Sequence, residues 1–179
     1  MAREHPSDHT PAAGPATRAD FIAWLPIIFL SRTALNVSFR IIYPFLPALA
    51  RGLGLSIGAT SRLLTLRLAA GLAAPFLGPL ADRYGRRRMM EWGLALFIVA
   101  GLLLAGVGSL AGAALAFALY GLAKVFYDPA LHAYVGDNVP YEQRGRVVGA
   151  VELSWAGAWL LGVPASGLLM DHLGWRAPW

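Results

Sequence analysis

The chain has 179 residues, 57% of them hydrophobic and only 14% charged, with 15 basic against 10 acidic side chains and no cysteine. A soluble domain carries about 25% charged residues to cover its surface, so this composition excludes a single water-soluble globule, and the missing cysteines exclude disulfides, thiolate metal sites and cysteine nucleophiles. The basic excess lies between apolar blocks and forms no exposed stripe, which argues against nucleic acid as a partner.

Residues 1–19 are polar and dotted with Pro6, Pro11 and Pro15, and read as a disordered tail ahead of a transmembrane domain over residues 20–179. A cleaved signal peptide is the rival reading, since Arg18 precedes the apolar run Phe21–Leu30. That run continues to Pro47 without a small-residue cleavage site. About 20 apolar residues cross a ~30 Å hydrocarbon core, and on that measure about five membrane helices are expected. The first covers Phe21–Pro47, kinked or ended by Pro44 and Pro47. The second covers Ser56–Leu80 and is followed by the charged stretch Asp82–Arg88. Between Glu91 and Lys124 lie 32 uncharged residues, about 48 Å if wound as one helix and too long for a bilayer. Gly106, Gly108, Ser109 and Gly112 supply the break, giving a third helix over Glu91–Gly108 and a fourth over Ala111–Tyr134. The fifth is Val147–Met170, with Glu152 its one charge. The fold class is an all-α membrane bundle.

Orientation follows from basic residues in the loops. With the N-terminus inside, inner segments hold Arg3, Arg18, Arg83, Arg86, Arg87, Arg88, Arg144 and Arg146, and outer segments hold only Arg51 and Arg176. The N-terminus is therefore expected in the cytoplasm, in a protein of the cytoplasmic membrane.

After the second helix the sequence reads Gly78-Pro-Leu-Ala-Asp82-Arg83-Tyr-Gly85-Arg86-Arg87-Arg88. Gly78 allows close approach to a neighbour and Gly85 a tight turn. Asp82 can pair with a nearby arginine or face a helix N-terminus. A plain basic anchor would require neither the glycines nor the aspartate. The pattern closely resembles the signature between helices 2 and 3 of the major facilitator superfamily, G-x-L-A-D-R-x-G-R-R, with Gly78, Leu80, Ala81, Asp82, Arg83, Gly85, Arg86 and Arg87 at signature positions. The segment Asp137–Arg146 is similar to that family's loop between helices 4 and 5, and echoes the first loop as three-helix repeats would. The ending Leu173–Trp179 looks like the entry into helix 6. The resemblance covers residues 20–179 and implies a partial major-facilitator-type bundle, the incomplete N-terminal half of twelve helices, whose C-terminal half is the missing partner. It implies alternating access, with the signature (Gly78, Asp82, Arg83, Gly85, Arg86 and Arg87) as a gating element. There are departures. Proton-coupled members carry an arginine four residues before a helix-4 glycine; with Gly121 as that glycine, the slot holds Phe117. The exporters' G-P-x-x-G-G survives only as Pro164-Ala-Ser-Gly167, with Gly162 one place out of step.

Ionisable residues at membrane depth cost about 2.5–3.5 kcal/mol on insertion scales and call for a reason. On the first helix Arg32, Asn36, Arg40 and Tyr43 fall at roughly 0°, 40°, 80° and 20° and form one polar stripe. It reads as a cavity wall, with snorkelling to the interfaces as the alternative. Lys124 and Asp128 stand four apart on the fourth helix, as solute ligands or as a structural ion pair. Glu152 is the candidate proton-coupling residue, or else an interfacial one. Arg62 and Arg67 read as interfacial anchors. His5, His9 and His132 make no ligand set, so no metal and no cofactor is expected, and no nucleophile–base pair points to an enzyme. The expected partners are the lipid bilayer and a small solute, held by Arg32, Asn36, Arg40, Lys124 and Asp128. The basic excess within the helices hints that the solute is anionic. A proton-coupled drug or metabolite exporter and a non-transporting membrane fragment are the alternatives.

Overall fold

The computed structural model describes residues 18–106 and 108–179, with side chains from Trp24 onward. The tail expected over 1–19 lies outside the described residues as far as residue 17.

The first rod, α1 (Arg18–Leu53), is longer than its sequence suggests. Pro44 and Pro47 do not end it. The chain takes a non-helical turn at Phe45 (φ −103°, ψ 15°) and winds on, because a proline that loses one ladder bond and crowds the preceding turn kinks a helix without stopping it. The stop is Gly54, at φ 66°. The second rod is interrupted: α2 (Ile57–Ala69) passes through a tight turn at Ala70–Ala73 into α3 (Ala74–Tyr84). Pro75 at the start of α3 removes the amide that would bond Gly71, and the preceding turn winds tighter. Ser56 caps α2 by accepting from the Ala59 amide at 3.1 Å.

The charged stretch Asp82–Arg88 is helical rather than a loop. Its only interruption is Gly85, at φ 88°, a conformation that strains any residue with a Cβ. From there α4 (Arg86–Gly106) runs to the glycine break expected from sequence, and α5 (Leu110–Asn138) restarts on Ser109, which caps the Gly112 amide. The helix ends expected at Tyr134 and Val147 move outward: α5 continues to Asn138 and α6 (Tyr141–Gly157) begins two residues after Val139. Glu142 in the first turn of α6 favours that early start through the helix dipole. The fifth rod, expected unbroken, contains a wide π turn at Ala158–Gly162 before α7 (Val163–Leu173). Pro164 offers no amide to the Leu160 carbonyl, which removes the α-type bond at that point.

Four helical stretches (24–53, 86–106, 110–138 and 141–173) are long and apolar enough to cross a membrane. The second rod, α2 to α3, consists of pieces of 13, 4 and 11 residues. Helices in lipid associate through close packing of small residues. Accordingly α4 and α5 lie together along buried Gly93, Ala100, Gly101, Ala113, Ala116 and Ala123. Two large apolar clusters result, beside a small one around Ala81, Met89 and Ala130. Ile28, Leu35, Tyr127 and Leu131 belong to the one at the signature end, and Ile42, Leu49, Phe117 and Tyr120 to the one at the other end. Trp175 and Trp179 fold back onto the second cluster as a turn, so the expected entry into helix 6 is not helical here. Large apolar side chains such as Leu72, Phe76, Leu102 and Leu161 face outward, as lipid requires.

Candidate functional site

Asn36 on α1 and Lys124 on α5 stand near the changeover between the two apolar clusters, and polar side chains meet there. The Arg32 Nη2 lies 2.8 Å from Glu152 Oε1, and its Nε 3.7 Å from Asp128 Oδ1. The Lys124 ammonium is 2.8 Å from Asp128 Oδ2 and donates to Asn36 Oδ1 at 2.8 Å. Asn36 Nδ2 in turn donates to Ser154 Oγ at 3.1 Å. The chain Glu152–Arg32–Asp128–Lys124–Asn36–Ser154 thus starts and ends on α6 and closes a polar ring across α1, α5 and α6. Periodicity explains two sides of it, since 32/36 and 124/128 each present neighbouring groups on one side of a helix. Two cations meet two carboxylates, so the ring is internally balanced.

The ring changes the picture of the α1 stripe. Arg32 and Asn36 are only 4% and 1% exposed, so they sit behind the carboxylates and do not form an open wall. Glu152, for which the sequence offers no same-helix partner, is held across the bundle by Arg32 while remaining 44% exposed. His132 Nε2 comes within 3.8 Å of it, beyond hydrogen-bond range. Arg40 is not in the ring: its guanidinium lies 3.3 Å above the Trp155 ring centroid and 5.1 Å from that of Trp159. Tyr43 is exposed. No cluster of three metal-ligating side chains occurs among the described residues.

Arg67 corrects the sequence reading outright. It is 1% exposed and no interfacial anchor. Its guanidinium lies 3.9 Å over the Phe39 ring and donates to the Phe39 carbonyl at 3.3 Å and the Tyr43 hydroxyl at 3.4 Å. Burial arises because α2 presses against α5 at Gly121, where a Cβ would run into the Arg67 carbonyl and Ala70. The signal available in sequence was depth: ten residues into α2, Arg67 stands about 15 Å from the helix start, near mid-membrane.

At the end of the bundle, Asp82 pairs with Arg86 at 2.7 Å, and Arg86 Nε also lies 3.5 Å from Asp137 at the end of α5. Arg87 pairs with Glu91 and lies over Trp24, and Arg83 lies against Tyr84. The turn at Gly85 is what brings Arg86 round to both aspartates. A family model described as the Major Facilitator Superfamily matches residues 28–179, the whole of this bundle beyond the start of α1. The chain belongs to the Major Facilitator Superfamily.

It is similar to the uncharacterized MFS-type transporter YwfA of Bacillus subtilis (strain 168), 34% identical over 137 residues, which are 76% of this chain and 33% of that protein. The multi-drug resistance efflux pump PmrA homolog of Lactococcus lactis subsp. lactis (strain IL1403) is 30% identical over 164 residues, covering 86% and 38%. The multidrug resistance protein MdtG of Escherichia fergusonii is 31% identical over 173 residues, covering 90% and 42%. The chain therefore spans less than half the length of these curated relatives. Within the superfamily bundle, Phe117 is buried in the second apolar cluster, so the slot that proton-coupled members fill with arginine is apolar packing here. Gly162 closes the π turn and abuts Val37 of α1.

Proposed function

We propose that the full-length protein is a secondary transporter of the cytoplasmic membrane that moves a small solute bearing an anionic group by alternating access, with its N-terminus in the cytoplasm. The observation that carries this reading is the ring tying Glu152 to Lys124 through Arg32 and Asp128. A proton on Glu152 removes one of the two carboxylates that hold Arg32. Arg32 then turns fully to Asp128, and Asp128 loosens its hold on Lys124. Each proton bound at Glu152 leaves the ring one unit more positive, which favours an anion at Lys124, and by linkage the anion favours the proton equally. Arg32 and Asn36 position these groups from behind, Lys124 and Asp128 meet the solute, and Arg40 shapes the wall beside α6. The lipid bilayer and a C-terminal half that completes the path are the partners. The Asp82–Arg86–Asp137 contacts serve as the gating element at the cytoplasmic end.

A second reading, proton-coupled export of drugs or metabolites, is favoured by the likeness to a multi-drug resistance efflux pump homolog and a multidrug resistance protein and by the paired rings of Trp155 and Trp159. The charge of the solute accepted separates the two.

The test is full-length protein in liposomes with a trapped pH indicator, challenged with a panel of small carboxylates. Glu152→Gln is expected to abolish solute-driven proton movement while leaving solute exchange. Unchanged proton coupling in the variant would overturn the assignment. For orientation, reporter fusions after Arg88 and Arg144 should report the cytoplasm, and fusions after Gly108 and Gly174 the outside. A periplasmic signal at Arg88 would reverse the arrangement.

A further inference from the structure

Arg67 is the buried cation that the ring does not use. Arg32 and Lys124 each have a carboxylate within 4 Å, whereas Arg67 has none among the described residues. Its contacts are a carbonyl, a phenol and an aromatic face, none of them anionic, the charged neighbour Arg40 is a cation like itself, and its Nε–H has no hydrogen-bond acceptor among the described residues. A buried guanidinium without a counter-ion is costly, and a buried donor left unpaired adds to the cost. Such an arrangement is retained where something else supplies the charge.

The surroundings indicate what that is. Arg67 and Lys124 line the same cleft between α1, α2 and α5, about 290 Å³ in volume, with Phe39, Leu68 and Val125 as its apolar walls. Both cations lie against the single Phe39 ring, at 3.9 and 5.2 Å from its centroid. The Lys124 ammonium spends two of its three N–H donors on Asp128 and Asn36 and keeps one. Asp128 also borders the cleft, but Lys124 and Arg32 neutralise it. The local sum is one positive charge and two unfilled donors, one from each cation.

We infer that this cleft is a carboxylate-binding subsite, in which the Arg67 Nε–H and the remaining Lys124 N–H hold the two oxygens while Phe39, Leu68 and Val125 contact a compact apolar body. The inference rests on the anionic-solute reading above and names the group that anchors it. It also explains why α2 comes so close to α5 at Gly121: that contact sets Arg67 deep enough to be dry, where one guanidinium discriminates strongly between an anion and its neutral analogue.

Equilibrium binding of radiolabelled benzoate to the full-length protein in nanodiscs tests it, with benzamide as the neutral isostere and with no dependence on flux. Saturable benzoate binding is expected, with benzamide weaker by about tenfold or more. Arg67→Gln should weaken benzoate by about ten- to a hundredfold and leave benzamide unmoved. Arg67→Lys, which keeps the charge, should recover part of the loss, and Arg62→Gln on the same helix should bind as the parent does. Equal benzoate affinity in Arg67→Gln, equal binding of the two isosteres, or no saturable benzoate binding by the folded parent would each overturn the subsite. If Arg67→Gln fails to fold, the Arg67→Lys variant and the benzoate–benzamide ratio of the parent decide. Unchanged proton coupling in the Glu152 experiment would leave this binding result intact, so the two readings fail separately.

Discussion

Arg40, Arg62 and Arg67 are chemically the same residue, yet the bundle gives them three different settings. Arg62 faces outward on α2. Arg67 is sealed under Phe39 and Tyr43, and Arg40 rests on two tryptophans of the α6–α7 rod. A cation held over an indole face contributes about 0.5–2 kcal/mol depending on its hydration, enough to set the orientation of Trp155 beside Glu152. Arg40→Ala is therefore expected to lower transport rate severalfold at matched expression, whereas Arg62→Ala leaves it near the parent value. Initial uptake rates in whole cells expressing the full-length protein measure this. Equal losses would place Arg40 outside the path.

Proline and glycine decide the shapes of the elements more than hydrophobicity does. Pro44 bends α1, Pro75 tightens the turn before α3, and Pro164 coincides with the π turn after α6. Each removes a backbone donor, and the chain responds by kinking, tightening or widening instead of stopping. Gly121 acts differently, by letting two helices touch. Adding a methyl group there meets backbone, which does not yield as a flexible side chain would. Gly121→Ala is expected to destabilise the bundle by about 1–3 kcal/mol through overpacking, seen as a lower melting temperature in detergent. Gly136→Ala, on the same helix but with open space at its Cβ, is the matched control and should melt with the parent.

For the molecule as a whole, the contacts at the signature end are expected to bear on state balance more than on folding. Asp82 is 68% exposed, and an exposed ion pair contributes about 0.2–1 kcal/mol. Asp82→Asn keeps the shape but frees Arg86 to pair with Asp137 alone. Folding should survive, while the ratio of outward- to inward-open forms shifts by up to about fivefold. Cysteine labelling at paired positions near the two ends of the cavity reads that ratio, since this segment has no native cysteine to interfere. An unchanged ratio with normal transport would reduce Asp82 to part of a basic anchor.

The sequence by itself determined the membrane class, the all-α architecture, the glycine break between α4 and α5, the turn at Gly85 and the family. These follow from local composition or from a contiguous motif, and both are readable one residue after another. It also placed Lys124 beside Asp128, because a spacing of four on one helix is a local fact. Only the tertiary structure decided that Glu152 belongs to Arg32, that Asn36 joins Lys124 to Ser154, and that Arg67 is buried beside Lys124. Those pairings join residues 57 to 120 positions apart in sequence. They depend on how closely α2 and α6 approach their neighbours, a distance set at Gly121 and at Gly162 by the absence of a side chain. Hydrophobic periodicity carries no signal for that, since in lipid an outward face and an inward face are both apolar.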